Sequence, residues 1–239
     1  MRIKVIMTDK AMDRPTMDQR EEMLSRGVPA GTEISVDCIH EGPDELDCNT
    51  DEAFAAAEVV RESIRAEKEG YDAIVVYCFS DVGLDAVREN VSIPVIGPGE
   101  TTLAAAGLLC NRFVVITTQS RNIPRTYRRL RKYAIVRDKM TSVRALDVPI
   151  GELRVNPNAT RDRLIEVVRQ AVENEQIDGV VLGCLGMADY GDAVEEALPV
   201  KVFDPAFLSV GYAELSARLG LTHTHASYPL FENESNVNL

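Results

Sequence analysis

The chain has 239 residues, of which 45% are hydrophobic and 27% charged, and its formal net charge is −12. This composition supports a packed core, while the negative charge argues against nucleic acid or an anionic membrane as a partner, because both attract positive charge. No segment approaches the ~20 apolar residues of a membrane span, and the apolar run at the N-terminus ends at Asp9, too early for a signal peptide. The five cysteines are an odd number in a long chain, which is typical of reduced thiols, so a cytoplasmic protein is expected.

Short β-branched runs alternate with helical patterns along the chain. Fully apolar strands in such an alternation are typical of a parallel sheet covered by helices on both faces, so the predicted fold class is α/β. The predicted strands are 3–7, 73–78, 93–96, 113–118, 179–184 and 201–203. The predicted helices are 51–68, 85–90, 101–109, 158–174 and 206–219, with Asn158 or Thr160 near the cap of the fourth.

An internal repeat is the most informative pattern in the chain. The segments YDAIVVYC and IDGVVLGC align and bring Cys78 onto Cys184, and the segments IKVIMT and FVVITT align and bring Thr8 onto Thr118. The repeat predicts two pseudosymmetric α/β lobes with parallel-rich sheets and an active-site cleft between them. Ligands of such sheets bind beyond the carboxyl ends of the strands, where both cysteines are predicted to lie.

The two aligned cysteines suggest a specific reaction. A cysteine between a strand and a helix meets free N–H groups and the positive end of the helix dipole, which stabilise a thiolate. Two such thiols on opposite walls of a cleft could invert a carbon next to a carbonyl, since one would remove a proton and the other would donate a proton to the opposite face. The backbone N–H groups around residues 79–80 and 185–186 are expected to bind the carbonyl oxygen. Cys38, Cys48 and Cys110 have no counterparts in the repeat and are interpreted as small buried hydrophobes.

Four motifs resemble the aspartate/glutamate/hydantoin racemase family, and its hydantoin (allantoin) racemase branch most. They are CFSDVGLDAVRE, PVIGPGE, VVITTQSR and GCLGMAD, and the resemblance covers nearly the whole chain. It implies that Cys78 and Cys184 are the catalytic acid–base pair of an isomerase, with no metal and no cofactor. It also implies that Thr117 and Thr118 are walls of the substrate pocket.

The residues after the cysteines favour the hydantoin branch. Amino-acid racemases of the family usually place Asn-Thr after the first cysteine, and Thr plus an acidic residue or His after the second. Those polar side chains suit a charged ammonium and carboxylate, whereas the less polar followers here suit a neutral five-membered ring. The followers in this chain, all expected to contact the substrate, are Phe79, Ser80, Leu185 and Gly186.

The loop after the first strand departs from the family. Hydantoin racemases typically have Asn-Pro-Asn-Thr-Ser there, and this chain has MTDKA. Thr8 and Asp9 are therefore expected on the substrate wall, with charge where the family has amides. The alternatives that stay open are an aspartate or glutamate racemase, an enzyme like maleate isomerase or arylmalonate decarboxylase, and a non-catalytic binder of small molecules.

The family pattern also implies the domain limits. Lobe 1 takes residues 1–97 and is completed by 206–239, and lobe 2 takes residues 98–205. The expected partner is a small-molecule substrate, and a homo-oligomer is expected by the same analogy. The polar tail 232–239 is predicted to be mobile.

The remaining signals have ordinary structural interpretations. The segment RNIPRTYRRLRK has six basic residues and is interpreted as a solvated helix face. Asp81, Glu100 and Asp189 could tune a thiol pKa, but each could equally be a loop or helix-cap residue. His223 and His225 are interpreted as surface residues.

Overall fold

Two four-stranded parallel sheets form the framework of the protein, and they lie in separate compact units. A computed structural model describes residues 1–230, apart from the side chains at positions 135 and 137. Lobe 1 comprises Met1–Pro98 together with the chain from Ser209 onward, and lobe 2 comprises Gly99–Leu208. The predicted α/β class is therefore confirmed.

The sheet of lobe 1 is built from the first four strands of the chain. Its elements in chain order are β1 Arg2–Met7, α1 Arg14–Ser25, β2 Glu33–Cys38, α2 Asn49–Lys68, β3 Ala73–Tyr77, α3 Leu84–Arg88 and β4 Val95–Ile96. All strand pairs are parallel, and the strand order is β2-β1-β3-β4. The two central strands are thus β1 and β3, and the cysteine loop follows β3.

The sheet of lobe 2 repeats this topology. Its elements in chain order are α4 Pro98–Leu109, β5 Phe113–Thr117, α5 Ile123–Leu130, α6 Ala134–Arg137, β6 Met140–Ala145, α7 Pro157–Glu175, β7 Gly179–Leu182, α8 Gly191–Ala197, β8 Lys201–Phe203 and α9 Pro205–Leu219. The strand order is β6-β5-β7-β8, again with parallel pairs only, and α9 continues into lobe 1. Each strand of lobe 2 therefore occupies the position of the strand four numbers lower in lobe 1.

The central strands are almost entirely buried. Every residue of β3, β5 and β7 is buried, which is the pattern of a parallel sheet covered on both faces. In lobe 1, residues of β1 and β3 pack with apolar residues of α2 and α3. In lobe 2, β5 and β7 pack in the same way with α7 and α8. Burial of these apolar faces is the main stabilising contribution to each sheet.

Aspartates close the amino ends of the central strands in the same way in both lobes. Asp72, before β3, accepts a hydrogen bond from the backbone N–H of Arg2 at 2.7 Å. Asp178, before β7, accepts one from the backbone N–H of Arg112 at 2.8 Å. Because Asp72 and Asp178 align in the sequence repeat, the shared contact supports the repeat in atomic detail.

Two strands were absent from the sequence prediction, and both are edge strands. The β2 segment EISVDC has two buried residues and the β6 segment MTSVRA has one, so both strands are less buried than the central strands. Each of these strands is contacted by a helix that lies earlier in the chain, α1 for β2 and α5 for β6. Glu21 of α1 accepts the N–H of Val36 at 2.8 Å, and the hydroxyl of Tyr127 in α5 accepts the N–H of Val143 at 3.0 Å.

Several predicted boundaries need correction. The three strands predicted to include Cys78, Thr118 and Cys184 end before those residues, because the chain turns away from the sheet there. The cap of α7 is Asn156, whose side chain accepts the N–H of Ala159 at 3.2 Å, and not Asn158 or Thr160. Within residues 1–230, no helix is long and apolar enough to cross a membrane. The tail 232–239 lies outside the described residues.

Candidate functional site

Each lobe brings one threonine and one cysteine together at the carboxyl edge of its sheet. In lobe 1, Thr8 and Cys78 each come one residue after the last pair of β1 and β3. In lobe 2, Thr118 and Cys184 each come two residues after the last pair of β5 and β7. The threonine and the cysteine of each lobe therefore both lie just beyond the carboxyl ends of two neighbouring strands.

The Cys78 thiol is half-buried against the core of lobe 1. Its Sγ lies 2.9 Å from the hydroxyl oxygen of Ser80, and Phe79 between them is buried. The sequence had predicted Cys78 at the start of an α-helix. The next helix begins only at Leu84, so Cys78 precedes a turn instead. Asp81 closes this turn with a positive φ of 55°, and its own N–H donates to the carbonyl of Cys78 at 3.0 Å.

The Cys184 thiol is half-buried in the equivalent place of lobe 2, but its turn has a different structure. Cys184 caps a three-residue 3₁₀ turn, Leu185–Met187, and its Sγ accepts the backbone N–H of Gly186 at 3.4 Å. Such a donor stabilises a thiolate. Gly183 lets the chain approach β5 closely, because a Cβ at this position would lie 2.6 Å from the carbonyl oxygen of Ile116.

The other three cysteines lie outside this arrangement. Burial raises the pKa of Cys38 to about 11, with a further contribution from the negative charge of Asp9. Burial likewise raises the pKa of Cys110 to about 11, and Cys110 packs beside Gly179 at the amino end of β7. Cys48 is exposed, so its interpretation as a buried hydrophobe is wrong.

The remaining predicted substrate contacts occupy the same sheet edges. Thr8, Thr117, Thr118 and Leu185 are buried, whereas Asp9, Ser80 and Gly186 are half-buried. Burial raises the pKa of Asp9, and the N–H of Ala11 and the charge of Arg20 oppose that effect. Glu100 lies in the first turn of α4, where the helix dipole favours an acidic residue.

The two histidines, interpreted from the sequence as surface residues, are both half-buried. His223 is half-buried: its ring nitrogen lies 2.7 Å from the carbonyl oxygen of Val91, and its ring packs edge-on against Tyr228. Burial lowers the pKa of His223. Among residues 1–230, no group of three or more His, Cys, Asp or Glu side chains is arranged to hold a metal ion.

Three residues that the sequence did not single out support the lobe 2 site. The amide of Asn122 donates to the hydroxyl of Thr118 at 3.3 Å, Arg154 donates to the carbonyl of Ala188 at 2.6 Å, and Asp204 accepts the N–H of Asp189 at 2.9 Å. Asn122 and Asp204 each stand just before a helix that has Pro in its first two positions, a pattern that predicts a helix start. That pattern predicts the caps but not the contacts with the site.

The comparison with known proteins decides the family. A family model described as Asp/Glu/Hydantoin racemase matches residues 16–213. The chain belongs to this family. Its predicted class, an isomerase, is confirmed with it.

Individual members of the racemase family support the predicted branch. The hydantoin racemase of Pseudomonas sp. (strain NS671) is 30% identical over 222 residues, which cover 92% of this chain and 87% of that protein. The hydantoin racemase of Rhizobium meliloti is 32% identical over 185 residues, or 77% of this chain and 76% of that protein. The solved structure of allantoin racemase from Klebsiella pneumoniae has a TM-score of 0.88 and 27% identity, and the match covers 97% of this chain and 94% of that chain.

Proposed function

We propose that the protein is a cofactor-independent racemase or epimerase in which Cys78 and Cys184 are the acid and base of one reaction. The observation that carries the proposal is the repeated threonine–cysteine pair. Each lobe has one pair just beyond the carboxyl ends of its two central strands, at positions that align in the sequence repeat. A single buried cysteine at a strand end is common. Two in equivalent places within a racemase fold are much harder to explain as packing alone.

The reaction proceeds by two proton transfers. One cysteine, as thiolate, removes the proton from a carbon next to a carbonyl, so that a C–H bond breaks, an S–H bond forms and the electron pair moves into an enolate. The other cysteine, as thiol, gives its proton to the opposite face of that carbon, which forms the inverted C–H bond and leaves a thiolate. The two thiols end with exchanged protonation states, and no electrons are gained or lost.

The contacts of the lobe 2 turn support this proposal. The Gly186 N–H donates to the Sγ of Cys184, and the amide of Asn122 donates to the hydroxyl of Thr118. N–H groups directed at a developing negative charge are the usual means of stabilising an enolate or thiolate in a water-poor site.

A hydantoin-like ring is the proposed substrate. Phe79 and Leu185, which follow the cysteines, are apolar and buried, and no charged side chain stands next to either cysteine in sequence. Both curated relatives described above are hydantoin racemases, and the solved relative is an allantoin racemase. The ring carbonyl of a hydantoin also makes the neighbouring C–H more acidic than that of a free amino acid.

A charged substrate such as aspartate or glutamate is the second candidate, and the MTDKA loop is the observation that favours it. Asp9 in this loop is half-buried, and burial raises its pKa even though the N–H of Ala11 and the charge of Arg20 oppose that effect. A cationic ligand group would stabilise its carboxylate further. Lys10 contributes less, because its Nζ lies 3.8 Å from Asp44 of the same lobe.

Proton NMR in D2O tests the proposal with a panel of 5-substituted hydantoins, allantoin, aspartate and glutamate, together with maleate and an arylmalonate. The expected result is enzyme-dependent loss of the C–H signal in a hydantoin-type compound, after subtraction of its spontaneous exchange. Exchange in aspartate or glutamate alone would select the second candidate. Conversion of maleate or the arylmalonate, without exchange elsewhere, would overturn the racemase proposal.

The proposal also includes a cytoplasmic location, no resident cofactor and a homo-oligomer. The location is supported by the five cysteines, which are all free thiols, because disulfides persist mainly in oxidising compartments. The oligomer rests on family resemblance and is checked by light scattering of the purified protein.

A further inference from the structure

A carboxylate lies between the cysteine turn and the strand end beside it in both lobes, but the two lobes supply it from opposite sides. In lobe 1, Asp81 of the cysteine turn reaches toward Gly97, the residue directly after β4, where a Cβ would lie 2.7 Å from the Asp81 Oδ1. In lobe 2, the residue directly after β8 is Asp204, and it reaches back toward the cysteine turn. Gly97 and Asp204 are equivalent, because each precedes the proline that begins the next helix.

Asp204 makes two directional contacts. Its Oδ2 accepts the backbone N–H of Asp189 at 2.9 Å, and its Oδ1 accepts the backbone N–H of Ala206 at 2.9 Å, at the start of α9. The carboxylate thereby ties the far end of the Cys184 turn to the first turn of the helix. Burial raises the pKa of Asp204, and the hydrogen bonds from the N–H groups of Asp189 and Ala206 oppose that effect.

The end of the turn that Asp204 holds is strained. Asp189 has a φ of 72°, a left-handed conformation that is uncommon for residues other than glycine. Such a conformation persists when neighbouring groups fix it. Arg154 provides a second contact on the same turn, through the carbonyl of Ala188 and the ring of Tyr190.

The turn connects this strained end to the thiol. Within it, the N–H of Met187 donates to the carbonyl of Cys184 and the N–H of Ala188 donates to the carbonyl of Leu185. This short ladder fixes the direction of the Gly186 N–H, which reaches the Cys184 Sγ. A shift at Asp189 would therefore change how well that N–H stabilises the thiolate.

We propose that Asp204 is a positioning residue for Cys184: it fixes the turn that directs the Gly186 N–H at the thiol. The inference rests on the proposed function, in which the Cys184 thiol is one of the two proton-transfer groups. Asp204 acts through the turn and does not itself touch the reacting atoms.

The test compares Asp204→Asn with Asp204→Ala. Both variants lack the negative charge, but the amide keeps the shape of the side chain and one acceptor. Iodoacetamide alkylation of Cys184 and Cys78 is followed separately by mass spectrometry of their peptides across pH 6–10. The midpoint pH for Cys184 is expected to be higher in the alanine variant than in the asparagine variant by about half to one unit, and the midpoint for Cys78 is expected to stay unchanged in both.

Activity provides a second readout. The kcat/KM for C–H exchange is expected to fall about 10- to 100-fold in Asp204→Ala and clearly less in Asp204→Asn. Asp178→Asn is the matched control, because Asp178 is also a carboxylate that holds backbone N–H groups of lobe 2, but at the opposite edge of the sheet. This control is expected to lower the melting temperature while leaving both alkylation midpoints and the exchange rate of folded protein unchanged.

Three outcomes would overturn the proposal: equal Cys184 midpoints in the two Asp204 variants, equal shifts of Cys78 and Cys184, or an equal shift in Asp178→Asn. Should Asp204→Ala fail to fold by circular dichroism, Asp204→Leu takes its place, since it fills the same space without an acceptor. Should Asp204→Leu also fail to fold, the decision rests on Asp204→Asn. The proposal is then overturned if this variant has the same kcat/KM and the same Cys184 midpoint as the wild type. Alkylation needs no substrate, so absence of racemase activity in the wild type would reject the proposed function without affecting this readout.

Discussion

The two lobes make the same contacts at the amino edges of their sheets and different ones at the carboxyl edges. Arg2 in lobe 1 donates to the carbonyl of Glu69 at 3.0 Å, and Arg112 in lobe 2 donates to the carbonyl of Glu175 at 3.0 Å. In both cases the acceptor lies at the end of the long helix that precedes the central strand. The aspartates Asp72 and Asp178 complete the same arrangement.

At the carboxyl edges the threonine and the cysteine correspond, but the contacts of the two thiols differ. The Cys78 thiol contacts a serine hydroxyl, whereas the Cys184 thiol contacts a backbone N–H. The residue before the cysteine is a buried tyrosine in lobe 1 and a glycine in lobe 2. The contacts at the amino edges are therefore shared by the two lobes, whereas the surroundings of the two thiols differ.

The largest expected effect comes from removing either thiol. Cys78→Ser and Cys184→Ser should each lower kcat for racemisation by about 10²–10⁴-fold, because a serine hydroxyl is a far weaker acid than a thiol. Steady-state polarimetry measures the loss. Cys48→Ser is the matched control, since Cys48 is exposed, and it should keep wild-type activity. Full activity in Cys78→Ser or Cys184→Ser would mean that the reaction does not need both thiols.

The next effect concerns Cys38 and Cys110, the two thiols whose pKa is raised by burial. Cys38 and Cys110 have pKa values of about 11, so at pH 8 each should react with iodoacetamide about 100-fold more slowly than a free thiol of pKa about 8.5. Their rates should rise steeply up to about pH 11. Peptide mass spectrometry after timed alkylation measures each site. Fast reaction of Cys110 at pH 8 would contradict a pKa of about 11 for this thiol, which lies at the amino edge of the lobe 2 sheet.

A smaller effect is expected from the glycine that distinguishes lobe 2. Gly183→Ala should lower the free energy of unfolding by about 1–3 kcal/mol, because the new methyl group meets a backbone carbonyl that cannot move aside. Gly186→Ala is the control, since its methyl group meets the flexible end of Leu153 and should cost less. Urea denaturation measures both. Equal losses would mean that the contact with the carbonyl of Ile116 is not what makes alanine unfavourable at position 183.

The smallest effect concerns the shared amino edge. Asp178→Asn should destabilise the protein by about 1–2 kcal/mol and Asp72→Asn by less than about 1 kcal/mol, because Asp178 is half-buried and holds two backbone N–H groups whereas Asp72 is exposed and holds one. Burial opposes ionisation of Asp178, but the N–H groups outweigh it and keep its pKa below the ordinary value.

The lowered pKa of Asp178 makes its contribution to the free energy of unfolding depend on pH. The contribution of Asp178 should be complete above the ordinary aspartate pKa of about 3.9 and should disappear as the pH falls through the lower pKa of the folded state. The difference in unfolding free energy between wild type and Asp178→Asn should therefore shrink below about pH 4. A difference that grows on acidification would contradict the assigned contacts.

The sequence predicts the parts of this protein that depend on strongly apolar or repeated segments. The central strands and the alignment of Cys78 with Cys184 are of this kind. The edge strands β2 and β6 were missed because most of their residues are only partly buried, so neither has an apolar run. The contact of Asp204 with Asp189 was missed because it joins residues 15 apart through a turn whose shape no local pattern specifies.

The most direct test of the two-thiol account follows each enantiomer of the active substrate separately in D2O, with Cys78→Ser and Cys184→Ser. A variant with one remaining thiol should still exchange the C–H of the enantiomer that faces that thiol, with retention of configuration, and should leave the other enantiomer unchanged. The account predicts a reciprocal pattern: one variant exchanges only one enantiomer, and the other variant exchanges only its mirror image. Exchange of the same enantiomer by both variants would contradict it.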